Sequence, residues 1–181
     1  MKCAPDGRIL VVSDTDVLIN FLRVGRLELL CRHADYRVVI TEHTRGAFGA
    51  PGEVTDNVQL SELEAAISSG EIEATSLTDI SEIGLFASLN AFLGRGEAAA
   101  IAVATSRGWV VATDDRRAGS EIQRRLGANR RLTTPGILLR CIERGHLTVV
   151  EADTIKSQLA ECRFIMKFAS FGDLRTPVGD N

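Results

Sequence analysis

No apolar run in this chain approaches the length of a membrane span, and Met1-Lys2-Cys3-Ala4-Pro5 opens it without the hydrophobic stretch of a secretory signal. Cysteine is sparse: Cys3, Cys31, Cys141 and Cys162 stand far apart with no Cys-x-x-Cys spacing. That excludes a structural zinc motif and a disulfide framework, and a reducing cytoplasmic setting is expected, with the thiols as small buried hydrophobes. The three histidines, His33, His43 and His146, are scattered, and no Ser or Cys sits in a nucleophile-elbow context. Aromatics make up only 5% of the residues, with Trp109 expected in the core, so extensive base stacking is not available. Neither charge dominates: Lys+Arg 21 against Asp+Glu 24 gives a net charge of -3, so any contact with nucleic acid has to be local.

What is present is the pattern of an ordinary globular protein. At 181 residues the chain fits one domain with a full core, spanning 1–181. Ile9 to Ser13, Arg37 to Ile40 and Trp109 to Thr113 read as short buried strands, and Ile72 to Leu77 as a further one. Helical spacing follows in Val17, Leu18, Phe21 and Leu22, in Leu60, Leu63, Ala66 and Ile67, and in Ile80 to Phe92. Thr41 is placed to cap a helix, Gly46 to Gly52 reads as a loop, and Gly70, Gly108 and Gly145 as helix stops. Glu97 to Ala104 is a small-residue helix, apolar nearly all round, that belongs deep against a sheet. Arg116 to Leu126 is amphipathic, Thr134-Pro135 is a capped helix start, and a last helix runs from Ala152 to Cys162. Strands alternating with helices predict an α/β fold: three α/β/α layers around a central parallel sheet, Rossmann-like.

Two of the apolar runs end in acids. Ile9-Leu10-Val11-Val12-Ser13 leads into Asp14-Thr15-Asp16, and Val110-Val111-Ala112-Thr113 into Asp114-Asp115. Glu97 opens the helix that feeds the second of these strands. Open parallel sheets carry their sites at the carboxyl ends of the strands, so neighbouring strands would bring these acids to one edge. Unpaired carboxylates crowded together resist ionisation, and a divalent cation removes that penalty; hard oxygen ligands select Mg²⁺ or Mn²⁺. Each acid has a plainer reading as well. Asp14, Asp114 and Asp115 suit helix caps, and Glu97 complements a helix dipole.

Asp14-Thr15-Asp16-Val17-Leu18-Ile19, Gly94-Arg95-Gly96-Glu97-Ala98-Ala99-Ala100-Ile101-Ala102 and Thr113-Asp114-Asp115-Arg116-Arg117-Ala118 resemble, in that order, the three signature blocks of PIN domains. These are metal-dependent ribonucleases, many of them VapC-like toxins of toxin–antitoxin pairs. Thr134-Pro135-Gly136-Ile137-Leu138-Leu139-Arg140 resembles a segment of one PIN-like subgroup. The resemblance implies Asp14 as the first metal-binding acid, Glu97 as the third, and Asp114 or Asp115 as the fourth. Asp16 stands where the family often has Asn and would orient rather than ligate. The family's second acid, a Glu in the helix after the second strand, falls where this chain has Arg45-Gly46-Ala47-Phe48. Glu42 substitutes, or Glu53 reaches in from the loop, or the site runs on three acids.

The activity implied is hydrolysis of RNA phosphodiester bonds with Mg²⁺ or Mn²⁺. Arg116, Arg117, Arg124, Arg125, Arg130 and Arg131 form a basic run beside the acids that would track phosphates, or else a solvated face with Glu121 as partner to Arg117 and Arg125. A toxin would also bind an antitoxin protein. The Leu60 to Ile67 helix and the tail Phe164-Ile165-Met166-Lys167-Phe168 are candidate surfaces for that partner or for a homodimer, against plain core packing. Two other functions fit less of the sequence. One is a silent PIN-like scaffold that binds RNA or protein, favoured by the displaced second acid. The other is a haloacid-dehalogenase-type phosphatase built on Asp14 and Asp16, which Leu18 and the lack of its lysine oppose.

Overall fold

The computed structural model describes residues 2–48 and 57–174. Five parallel strands, β1 (Ile9–Ser13), β2 (Tyr36–Thr41), β3 (Glu73–Thr75), β4 (Val110–Ala112) and β5 (Arg131–Leu132), form one sheet in the order β3-β2-β1-β4-β5. The helices among the described residues are α1 (Thr15–Arg23), α2 (Glu28–Cys31), α3 (Glu42–Ala47), α4 (Asn57–Ser68), α5 (Ile80–Leu89), α6 (Arg95–Arg107), α7 (Arg116–Leu126), α8 (Thr134–Glu143) and α9 (Val149–Glu161).

Strand alternation splits the core in two. Val11, Val38, Ile40, Val110 and Ala112 pack with α1, α2, α4, α8 and α9 on one face of the sheet. Val12 and Val111 pack with Leu89 of α5, Ala98 and Ile101 of α6, and Ala118 and Ile122 of α7 on the other. The result is the expected three-layer α/β/α arrangement. As the composition of α6 required, Ala98 through Ala104 are all buried.

The chain winds outward from β1 to β2 and β3, then returns to the opposite side of β1 as β4. Strand order therefore reverses between β1 and β4, where Ser13 pairs with Ala112 and the Asp14 N–H donates to the Ala112 carbonyl at 3.0 Å. This is the topological switch point, the place where open α/β sheets leave a crevice for ligands.

Several local expectations need adjustment. Gly46 and Ala47 belong to α3 rather than to a loop, and Phe48 follows as its C-cap; 49–52, with Glu53, lie outside the described residues. The helix from Ile80 ends at Leu89, short of Phe92. Thr133, not Thr134, caps α8, its hydroxyl accepting from the Gly136 N–H at 3.2 Å. Thr148, whose hydroxyl accepts from Glu151 N–H while Glu151 reaches back, starts α9 a turn before Ala152. The two-residue β5 has too little apolar sequence to be legible.

Candidate active site

Two of the acids at the switch point, Asp14 and Asp115, are first of all caps. Asp14 ends β1, and its Oδ1 accepts from the Val17 N–H at 3.0 Å to start α1. Asp115 does the same for α7, its Oδ1 accepting from Ala118 N–H at 2.7 Å. A cap uses one carboxylate oxygen and leaves the other. The Oδ2 of Asp14 is buried, and no donor among the described residues meets it in hydrogen-bond geometry. Capping and ligation are thus compatible on a single side chain, because each employs a different oxygen.

The acids share one electrostatic field. Burial pushes the Asp14 pKa well above the usual carboxylate range, against the nearby Thr113 hydroxyl and the Val17 N–H, and the charges of Asp16 and Glu97 push the same way. Burial and then Asp115 raise Asp16. Glu97 is raised by burial, with Asp16 and Asp115 adding to it. Desolvation and like charge both disfavour the ionised forms, which is the condition a divalent cation reverses. Among the described residues, no three His, Cys, Asp or Glu side chains close into a ready-made ligand cluster. The fit to a cation rests on the free Asp14 oxygen and on this mutual repulsion.

Two glycines make the room. A Cβ on Gly94 would stand 2.2 Å from Oε2 of Glu97, so that carboxylate lies folded back over the start of α6. A Cβ on Gly96 would stand 2.8 Å from the Thr15 hydroxyl, so the absence of a side chain lets α6 close on the first turn of α1. The Gly94-Arg95-Gly96-Glu97 spacing is in this sense a steric requirement of the site.

Above the acids opens a cavity of about 680 Å³ lined by Thr15, Asp16, Glu42, His43, Gly46 and Glu97, among others. Glu42 stands at this cavity with Asp16 and Glu97, whereas Asp14 and Asp115 are not part of its lining. The His43 ring lies against Phe86, its buried Nδ1 is unpartnered, and burial lowers its pKa, which favours the neutral imidazole. Arg95, also at the wall, makes no ion pair or hydrogen bond among the described residues.

Asp114 is employed differently. Its Oδ1 accepts from the Thr134 N–H at 2.9 Å, and its Oδ2 accepts from the Thr134 hydroxyl at 2.5 Å and from Asn20 Nδ2 at 3.1 Å. Both oxygens are occupied in tying β4 to α1 and α8, while Asp115 is the one coupled to Asp16 and Glu97. Sequence reasoning left this pair open and passed over Asn20. A polar residue inside the apolar run Val17-Leu18-Ile19-Asn20-Phe21-Leu22 was the available signal.

Residues 10–166 match the model of the PIN-domain family DUF3368. The chain belongs to the PIN-domain family. The matched segment contains all three acidic blocks, and membership leaves the haloacid-dehalogenase alternative without support. A solved structure titled as VapBC2 from Rickettsia felis bound to a DNA fragment from their promoter is similar to this PIN domain with a TM-score of 0.48 and 11% identity, covering 69% of this chain and 98% of that one. No curated protein sequence matches it. Of Arg45-Gly46-Ala47-Phe48, the stretch where the resemblance expects a second acid, Gly46 and Ala47 line the cavity.

The basic run divides on inspection. Arg124 and Arg125 both pair with Glu121, which Arg117 does not. Arg130 donates to the Gly108 carbonyl, and Arg131 to the carbonyls of Thr113, Asp114 and Asp115. Arg116 and Arg117 are exposed and make no such bonds among the described residues.

Proposed function

We propose that this PIN-domain protein is a divalent-metal-dependent endoribonuclease of the cytoplasm, acting as the toxin of a toxin–antitoxin pair. The observation that carries the reading is the buried, unpartnered Asp14 oxygen within the field of Asp16 and Glu97, at the switch point of the sheet. Asp14, Glu97 and Asp115 would hold Mg²⁺ or Mn²⁺, with Asp16 as an added anionic neighbour and Glu42 in place of the second acid. Asp114 would position the strand end rather than ligate. A cation bound there supplies a more acidic water and neutralises charge on the phosphate undergoing attack. The protein's own part is to orient: caps fix Asp14 and Asp115 to rigid helix starts, Gly94 leaves space for Glu97, and unpaired Arg95 at the wall attracts the phosphate backbone. Among the described residues no helix is long and apolar enough to cross a membrane.

Of the two segments considered as partner surfaces, the Leu60 to Ile67 helix packs as core, the plainer of its two readings. Leu63 and Ala66 are core residues with Leu60 and Ile67 packed on them, and of the tail's apolar side chains Phe164, Ile165, Met166 and Phe168 only Ile165 is exposed. Ile80, Ile83 and Phe92, at 87%, 51% and 55% exposure, are apolar side chains that a protein partner would cover.

The test is cleavage of labelled RNA with and without Mn²⁺ by the wild type, Glu97→Gln and Asp115→Asn. Cleavage is expected only with metal, and reduced about 100-fold or more in either variant, a loss in the range found when one transition-state-stabilising group is removed. Metal-independent cleavage, or equal cleavage by all three proteins, would overturn the reading. No cleavage by any of them, with no metal bound in calorimetry, would favour a silent scaffold.

The vacancy at the second acid makes a further prediction. Gly46 lines the cavity, and no atom of the described residues lies within 4 Å of where its Cβ would stand. Gly46→Glu is expected to lower the Mn²⁺ concentration for half-maximal cleavage about tenfold, since carboxylate count tunes the affinity of hard-cation sites. An unchanged Mn²⁺ titration would show that a carboxylate at this position does not reach the metal.

A further inference from the structure

A second cavity, of about 440 Å³, shares no lining residue with the acidic one. Arg116, Gly119, Ser120 and Gln123 of α7 form one wall, and Arg131 of β5 and Thr133, the cap of α8, form another. Among the described residues no carboxylate lines it, in a chain whose charge is net acidic. Its two arginines are in different states. Arg131 is fixed, with Nε donating to the Thr113 carbonyl at 3.1 Å and Nη2 to those of Asp114 and Asp115 at 3.2 and 3.1 Å. Carbonyl dipoles hold a guanidinium in place without cancelling its unit charge. Its Nη1, free of hydrogen-bond partners among the described residues, lies against the backbone of Gly119, where a Cβ would stand 2.1 Å away. Arg116 is exposed and has no ion pair or side-chain hydrogen bond among the described residues, although Arg124 and Arg125 farther along the helix are both held by Glu121.

A fixed and a free guanidinium in one concavity without an acid is the complement of a phosphate, whose oxygens accept charge-assisted hydrogen bonds from both. We infer that this cavity is a phosphate subsite, taking a phosphate of the RNA strand other than the one that is cleaved. That identity of ligand rests on the ribonuclease reading; the anion site itself does not. The ligand is an internal phosphodiester or a terminal phosphate monoester. Because Arg131 grips the carbonyls of the three residues that leave β4, a phosphate held here is in fixed register with Asp115. The subsite therefore sets the distance between a bound phosphate and the cut.

Binding can be read without catalysis. Wild-type protein in EDTA is titrated with short RNA carrying either a 5′-hydroxyl or a 5′-phosphate, and separately with inorganic phosphate while the arginine Nε–H signals are followed by NMR. Arg116→Ala removes the free cation, isosteric Gln123→Glu places an anion in the cavity, and Lys167→Ala removes an exposed charge from the C-terminal tail as a control. Expected are a shift of the Arg131 signal with phosphate, and RNA binding about 5- to 10-fold weaker in the first two variants only. For Arg116→Ala the salt dependence should fall by about one single-strand contact, roughly 0.7 in the log–log slope. A loss seen with both RNAs assigns the site to an internal phosphodiester, and a loss confined to the 5′-phosphate RNA assigns it to a terminal monoester. Wild-type affinity in both cavity variants, with no Arg131 shift, would overturn the inference while leaving metal-dependent cleavage intact. A phosphate shift abolished by Gln123→Glu in a protein that cleaves no RNA would uphold the anion site and discard the ribonuclease reading.

Discussion

Asp14→Asn is expected to abolish metal-dependent RNA cleavage and, in the absence of metal, to make the protein more stable rather than less. The two effects share one cause. Asparagine is as good a helix cap as aspartate, so the bond from the Val17 N–H survives. What is lost is a buried charge whose second oxygen meets no donor in hydrogen-bond geometry among the described residues, the nearby Thr113 hydroxyl only partly offsetting its burial. Asp14 is raised in the fold above its unfolded value, chiefly by burial. Such a group favours the fold when protonated, and its contribution is lost as pH rises from the unfolded value near 3.8 through the folded one. At neutral pH the metal-free wild type thus carries a penalty that the amide does not, and an amide N–H can donate toward the neighbouring acids. Relief of one unsatisfied buried group is worth about 1–3 kcal/mol, or several degrees in Tm for a domain of this size. The measurement is a thermal melt in EDTA at a series of pH values, repeated with Mn²⁺. The variant should melt higher at pH 7, the gap should close toward pH 4, and Mn²⁺ should raise the wild type selectively. A variant that melts lower at every pH, or a wild type indifferent to Mn²⁺, would sink the linkage between the cation and this carboxylate.

The largest loss of stability is expected at Arg107→Ala, far along α6 from Glu97. Glu82 of α5 is 2% exposed and sits in the bidentate grip of Arg107, Nε to Oε1 at 2.7 Å and Nη2 to Oε2 at 3.0 Å. The same guanidinium donates to the Thr75 hydroxyl and the Ser76 carbonyl, and lies over the Trp109 ring. One side chain therefore joins α6 to α5 and to the end of β3. Truncating it strands a buried carboxylate, which costs about 3–5 kcal/mol, a fall of roughly 10 °C in Tm. Arg107 holds Glu82 below the usual glutamate range, so in the wild type its contribution is present above the unfolded value of 4.5 and lost as pH falls through the folded one. Without Arg107 that acid-side loss should shrink. The double variant Arg107→Met, Glu82→Met should recover part of the stability, because it removes both charges but also takes from the Thr78 and Asp79 N–H groups the Glu82 oxygen that accepts from them at 3.0 and 3.4 Å. Failure of the double variant to recover any of it would mean that the bonds to Thr75 and Ser76 and the cap of α5, not the ion pair, carry the effect.

Much of this protein was determined by its sequence. The strands around Val11, Val39 and Val111, and the all-buried alanine helix, follow from short apolar runs and small residues whose period admits no other use. The acids at the two strand ends were legible for the same reason: a polar group that closes a buried run has to be capping or ligating, and here one oxygen caps while the other is left over. Tertiary structure alone decided what depends on distance between segments remote in the chain. Asp114 and Asp115 are equivalent in sequence, and only the approach of Thr134 and Asn20 occupies one and leaves the other coupled to Glu97. Arg116, Arg124 and Arg131 look like one basic run, yet Glu121 and the carbonyls at the end of β4 divide them into paired, fixed and free. Local patterns set which surfaces each element must bury, whereas the partner of a charge is set by whichever group the packing brings within a few ångströms of it.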